Sequence, residues 1–150
     1  MDKLTVVFTK DTRNPLSWLI RWVLPRSRFA WALSSHCYIV NGDDWYQSVA
    51  PKGVCKVSRS EALRTDTIVK TIDYYVPNAS AGIAFLESQL GKKYDYKGAI
   101  GLGIGPDRNW SNSDRWFCYE LAAMALKVSG GPQFNSVSHI TEIALMAIAP

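Results

Sequence analysis

No stretch of this chain approaches the roughly 20 consecutive apolar residues that a bilayer-spanning helix needs. The opening MDKLTVVFTK starts with charge but has neither a long apolar run nor a small-residue cleavage site. A transmembrane segment and a secretory leader are therefore not expected. Cysteine is scarce and odd in number, at three in 150 residues. That argues against a disulfide framework and fits a reducing, cytoplasmic compartment. Metal-ligand spacing is also lacking. His36, Cys37, Cys55, Cys118 and His139 form no C-x-x-C or H-x-x-x-H pair, and adjacent His36 and Cys37 should point to opposite faces of a strand. No metal and no cofactor are expected.

Strong charge of one sign is missing as well. The net charge is +4, and Arg21, Arg26, Arg28, Lys52, Lys56, Arg59 and Arg64 are scattered without a long run. They read as solvated surface, and nucleic acid is not expected as a partner. Gly98, Gly101, Gly103 and Gly105 match neither dinucleotide nor phosphate-loop spacing, and no Lys-Ser or Lys-Thr pair follows them. They are read as close-packing or connecting positions instead.

What is present suits one domain spanning residues 1–150, with 47% hydrophobic residues to build a core. Apolar, β-branched LTVVF (Leu4 to Phe8) predicts a buried strand. Asn14-Pro15 opens a helix over Leu16 to Val23, which Pro25 ends. SHCYIV (Ser35 to Val40), the turn NGDD and WYQSV (Trp45 to Val49) predict a hairpin. Val54 to Val57 resumes the strand after Ala50-Pro51-Lys52-Gly53, and Ser60 with Glu61 begins a short helical turn. Thr67 to Tyr75 alternates as a strand closed by Pro77. Ser80 to Leu90 has helical period and stops at Gly91, and Ser138 to Ile148 reads as a last helix.

The rest is organised around WFCYELAAMAL, Trp116 to Leu126. Phe117, Leu121, Ala125 and Leu126 recur at helical spacing, Ser113 or Asp114 is a cap candidate, and Gly130-Gly131 is the stop. Cys118 then sits in the first turn, where unsatisfied amides and partial positive charge favour a thiolate. The bland alternative is a small buried hydrophobe. Cysteine nucleophiles need an imidazole to move a proton and a polar group to fix the ring. His36, at the start of its strand, is the candidate base. The hairpin partner strand offers Gln47, with the longer reach and a carbonyl acceptor, or Ser48, favoured by register. These two lie on opposite faces of one strand.

These segments together resemble the circularly permuted, NlpC-like branch of the papain-fold cysteine hydrolases, which includes the YiiX-like proteins. The resemblance covers most of the chain. It is carried by LSWLIRW (Leu16 to Trp22), WALSSHCYIV (Trp31 to Val40), GKKYDYKGAIG (Gly91 to Gly101) and CYELAAMAL (Cys118 to Leu126), with histidine before cysteine marking the permutation. It implies an α+β, papain-like fold whose antiparallel sheet packs against the cysteine helix, with Cys118 as nucleophile and His36 as general base. It also implies hydrolysis or acyl transfer at an amide or ester, on a small peptide, amide or ester substrate. Cell-wall peptide is the class the family suggests. Two positions depart from the family: the third site residue, often Glu or His, falls on Ser48 or Gln47, and the residue after the cysteine, often Ser, is Tyr119. The Asn-Cys-Glu-His motif of the related lecithin-retinol acyltransferases is absent, so lipid acyl transfer ranks below hydrolysis. A binding or structural module that keeps the fold without turnover is the rival from another class.

Overall fold

The computed structural model describes residues 1–11, 13, 33–97, 114–132 and 140–149. The helix expected over Leu16 to Val23, the glycines from Gly98 to Gly105, and His139 lie outside the described residues.

The β-branched run near the N-terminus forms an interior strand of the sheet. Strand β1 (Asp2–Lys10) pairs antiparallel with β2 (His36–Asn41) on one side and β5 (Thr67–Val76) on the other. Leu4, Val6 and Phe8 are buried on one face and Val7 on the other, as an uninterrupted apolar run requires of a strand covered on both faces. The NGDD turn folds β2 onto β3 (Asp44–Val49), with Asn41 opposite Asp44, and β3 pairs in turn with β4 (Gly53–Ser58). The sheet order is β4-β3-β2-β1-β5.

Helix α1 (Arg59–Ala62) begins where the Ser58 hydroxyl accepts the Glu61 N–H. Helix α2 (Ala79–Gln89) is capped in the same way by the Asn78 side chain, which accepts the Ala81 N–H. The chain then forms β6 (Lys93–Tyr94), and β7 (Arg115–Trp116) pairs with it in parallel. Gly53 makes the approach of β4 to this region possible. The Val54 N–H donates to Lys92 O at 2.8 Å, and a Cβ on Gly53, whose φ is +79°, would collide with that same carbonyl.

Helix α3 (Cys118–Val128) carries the cysteine, and α4 (Glu142–Ala147) ends the described chain. Two boundaries differ from expectation. Ser113 lies outside the described residues, and Asp114 does not cap α3: Arg115 and Trp116 are extended because they pair with β6, so the cap falls on Phe117 and Cys118 is the first helical residue. The last helix starts at Glu142 rather than Ser138, because Thr141 is extended and its hydroxyl accepts the Ala144 N–H.

One sheet face is covered by α2 and α3, where Leu86, Leu121 and Leu126 pack among Leu4, Val6, Phe8, Ile39 and Tyr74. Each such side chain contributes about 1.5–3 kcal/mol through burial, and truncating fully buried Leu126 to Ala costs about 2–5 kcal/mol. The two helices approach closely at Gly82, where a Cβ would press into Ala125 O and the Ser129 hydroxyl. The opposite face carries a smaller cluster of Val7, Tyr38, Trp45 and Ala62. The architecture is α+β: an antiparallel five-stranded sheet with the cysteine helix packed on one face.

Candidate active site

Cys118 owes its position to what precedes it. The Ser48 hydroxyl donates to Trp116 O at 2.6 Å, and the Asp95 N–H donates to the same carbonyl at 3.1 Å. The extended strand is thereby held until Phe117. The first bond of the α3 ladder runs from Leu121 N–H to Phe117 O at 3.0 Å, so the amides of Cys118, Tyr119 and Glu120 precede it. These amides give the helix start its partial positive charge. The Glu120 carboxylate reaches back to the Phe117 N–H at 3.4 Å, which is half of a capping box; phenylalanine has no oxygen to supply the other half.

His36 is the first residue of β2 and is half-buried. Its ring meets Tyr38 edge-on at 4.8 Å, and its Nε2 lies 2.9 Å from Gln47 Oε1. With a carbonyl oxygen as its partner, Nε2 is the N–H donor of that bond. His36 and Cys118 interact side chain to side chain, and each changes the other's proton affinity. Burial opposes the imidazolium, yet the neighbouring thiolate raises the His36 pKa above its ordinary value. Burial likewise opposes the thiolate, but a hydrogen bond from the Cys37 thiol and the His36 charge lower the Cys118 pKa to about 5. The helix-start amides act in the same direction. The two shifts both favour a thiolate beside an imidazolium over a neutral pair.

The structure thus brings Cys118, His36 and Gln47 together. Ser48 is close by but on the other face of β3, where it holds the Trp116 carbonyl rather than the ring. The register explains the difference. With Asn41 opposite Asp44, continuation of the hairpin sets His36 level with Val49, and Gln47 shares that face.

Several neighbours were not singled out by sequence. Cys37 alternates away from His36 and still reaches Cys118 from the core side, its Sγ–H donating to Cys118 O at 3.4 Å. Strand alternation alone could have placed it on the α3 face. Asp66 accepts from Thr9 and Tyr38 at 2.7 and 3.1 Å, and its charge helps to hold His36 protonated. Glu120 is buried, and desolvation, with Asp95 and Cys118 nearby, pushes its pKa up to about 8. No capping-box pattern marked it in the sequence, because the residue three before it is phenylalanine.

A cleft of about 290 Å³ opens beside the pair, with Ser35, His36, Tyr38, Gln47, Asp66 and Tyr94 in its wall. Cys118 is only 1% exposed, so His36 is the member of the pair that faces the cleft. Among the described residues no group of three or more His, Cys, Asp or Glu could hold a metal ion, and no described helix is long and apolar enough to cross a membrane. Compared with known proteins, the chain matches no family model and no curated sequence.

Proposed function

We propose that this chain is a cysteine hydrolase of the amidase, peptidase or esterase type, with a permuted, NlpC-like arrangement of a papain-like site. The observation that carries the reading is a single imidazole hydrogen-bonded to Gln47 that also interacts with the side chain of Cys118 at a helix start. The Cys118 sulfur attacks the substrate carbonyl, and the Cys118 N–H helps to stabilise the oxyanion. His36 then delivers its proton to the leaving amine or alcohol as the tetrahedral intermediate collapses to a thioester. The neutral imidazole next takes a proton from water, the resulting hydroxide attacks the thioester, and the acid product leaves as thiolate and imidazolium re-form. Gln47 fixes the ring plane throughout as a positioning residue. A small peptide, amide or ester is the proposed substrate, with cell-wall peptide as the leading class. Three free cysteines fit a reducing, cytoplasmic location for this chemistry.

A second reading has its own observation: Cys118 is almost fully buried, as in a module that keeps the fold without turnover. Labelling by iodoacetamide at neutral pH, followed by release of p-nitrophenol from p-nitrophenyl acetate, separates the two. A hydrolase labels at Cys118 and shows a burst and turnover, both lost in Cys118→Ser. Absence of both in the folded wild-type protein overturns the proposal.

A further inference from the structure

Acyl transfer uses one thiol, yet two meet at this site. Cys37 is fully buried on β2 and directs its Sγ toward the first residue of α3, 3.4 Å from the Cys118 carbonyl oxygen. The side chains of the two cysteines also interact, each shifting the other's proton affinity. Cys55 is set apart from this pair: it lies on β4, opposite Gln47 and one strand farther from β2. A nucleophilic sulfur in contact with a second thiol is the arrangement in which an oxidised sulfur is captured internally before it can oxidise further.

We propose that Cys118 and Cys37 form a peroxide-reactive dithiol that closes into an internal disulfide and reversibly blocks the site. The co-reactant is hydrogen peroxide or a small alkyl hydroperoxide. In the first step the Cys118 thiolate attacks the terminal peroxide oxygen, the O–O bond breaks, and the departing hydroxide or alkoxide takes the His36 proton to leave as water or the alcohol. The sulfur is oxidised by two electrons to a sulfenic acid and the peroxide is reduced. In the second step the Cys37 sulfur attacks the Cys118 sulfur, the S–O bond breaks, and the hydroxide leaves with the Cys37 proton as water. An external dithiol reverses the change by exchange. Burial of Cys37 beside Cys118 favours this internal resolving thiol over an external one.

The inference rests on Cys118 being a thiolate nucleophile, and the test reads that separately. Wild-type protein is treated with hydrogen peroxide, denatured, alkylated with iodoacetamide and mapped by mass spectrometry. The expected product is lighter by about 2 Da, contains a Cys37–Cys118 linked peptide, and regains both thiols with dithiothreitol. Cys55→Ser should behave as wild type. Cys37→Ser should instead add about 16 and then about 32 Da at Cys118, because no internal thiol resolves the sulfenic acid. The inference is overturned if wild-type Cys118 gains oxygen while Cys37 stays alkylatable, if the linked peptide contains Cys55, or if peroxide leaves Cys118 unchanged. The wild-type map decides the question even if Cys37→Ser folds poorly. Native iodoacetamide labelling run in parallel keeps the two readings apart: Cys118 that labels without forming the disulfide sinks the dithiol alone, and a disulfide without labelling or ester turnover sinks the hydrolase alone.

Discussion

His36 and Gln47 are joined through Nε2 and Oε1 at 2.9 Å, although eleven intervening backbone steps and a turn separate them in the chain. The contact selects Gln47 over Ser48 as the group that fixes the ring. Gln47→Ala should lower turnover about 10- to 100-fold, as expected when an orienting group is lost and the nucleophile stays. It should also change the pH profile of Cys118 alkylation, a readout that a purely structural residue would leave in place. Ser48→Ala should keep that profile and instead lose about 1 kcal/mol of stability, the worth of its bond to the Trp116 carbonyl. Equal effects of both variants on the profile would contradict this division.

The alkylation profile tests the ion pair itself. With its pKa lowered to about 5, Cys118 should react with iodoacetamide at near-maximal rate at neutral pH. Cys37 and Cys55, both pushed up chiefly by burial, should react slowly until the medium is alkaline or the protein unfolds. His36→Gln removes the imidazolium and should move the Cys118 midpoint upward, cutting its neutral-pH rate by about tenfold or more. The linkage signs are opposite for the two partners. The depressed thiol contributes stability above its unfolded value that is lost as pH falls through about 5. The raised imidazole contributes stability below its unfolded value that is lost as pH rises through its folded value. Three cysteines with equal native rates would refute the account.

Much of this arrangement was legible in local pattern, and its gaps have physical causes. The β-branched run of β1, the NGDD hairpin and the period of CYELAAMAL each reflect local side-chain periodicity or turn chemistry that a short stretch of sequence carries by itself. The cap of α3 was misplaced because the extension of Arg115 and Trp116 comes from pairing with β6, about twenty residues earlier in the chain. The 12-residue spacing from His36 favoured Ser48, but a two-residue loop at Gly42-Asp43 shifts the register by one and turns Gln47 to the histidine. Cys37 was set aside as facing away from His36. It does alternate, but Cys118 lies where groups from both sides of the strand start converge on it.

Glu120 offers a pH test independent of catalysis. Its carboxyl is buried and its pKa is raised to about 8, first by desolvation and then by Asp95 and Cys118. A raised acid holds its proton in the folded state while the unfolded chain has released it, so its contribution to stability falls as pH rises from its unfolded value through about 8. Glu120→Gln keeps a carbonyl acceptor for the Phe117 N–H and removes the titration. The variant should therefore gain on wild type, by a few degrees in Tm, as the buffer is moved from about pH 5 to about pH 8. A constant Tm difference across that range would show that Glu120 does not titrate there.

Tyr119, the residue after the cysteine, has a definite mechanical position. Its ring is fully buried, stacked on Phe8 at 6.4 Å and edge-on to Phe117 at 5.3 Å. Its hydroxyl shares a 2.9 Å hydrogen bond with Ser34, whose backbone N–H donates to Glu142 at 3.0 Å. The start of the His36 strand is thus tied to α3 through Tyr119 and to α4 through Glu142. Tyr119→Phe keeps the ring contacts and leaves the Ser34 hydroxyl without this partner, so it should cost about 1–3 kcal/mol with the fold retained. Tyr119→Ser removes the ring as well and should cost about 3–5 kcal/mol, because the cavity is bounded by β1 and by the neighbouring turn of α3. Denaturant unfolding of both variants gives the two values. If Tyr119→Phe is as stable as wild type, the hydroxyl bridge contributes nothing. If Tyr119→Ser is no worse than Tyr119→Phe, the ring is not the structural wedge between sheet and helix that its burial indicates.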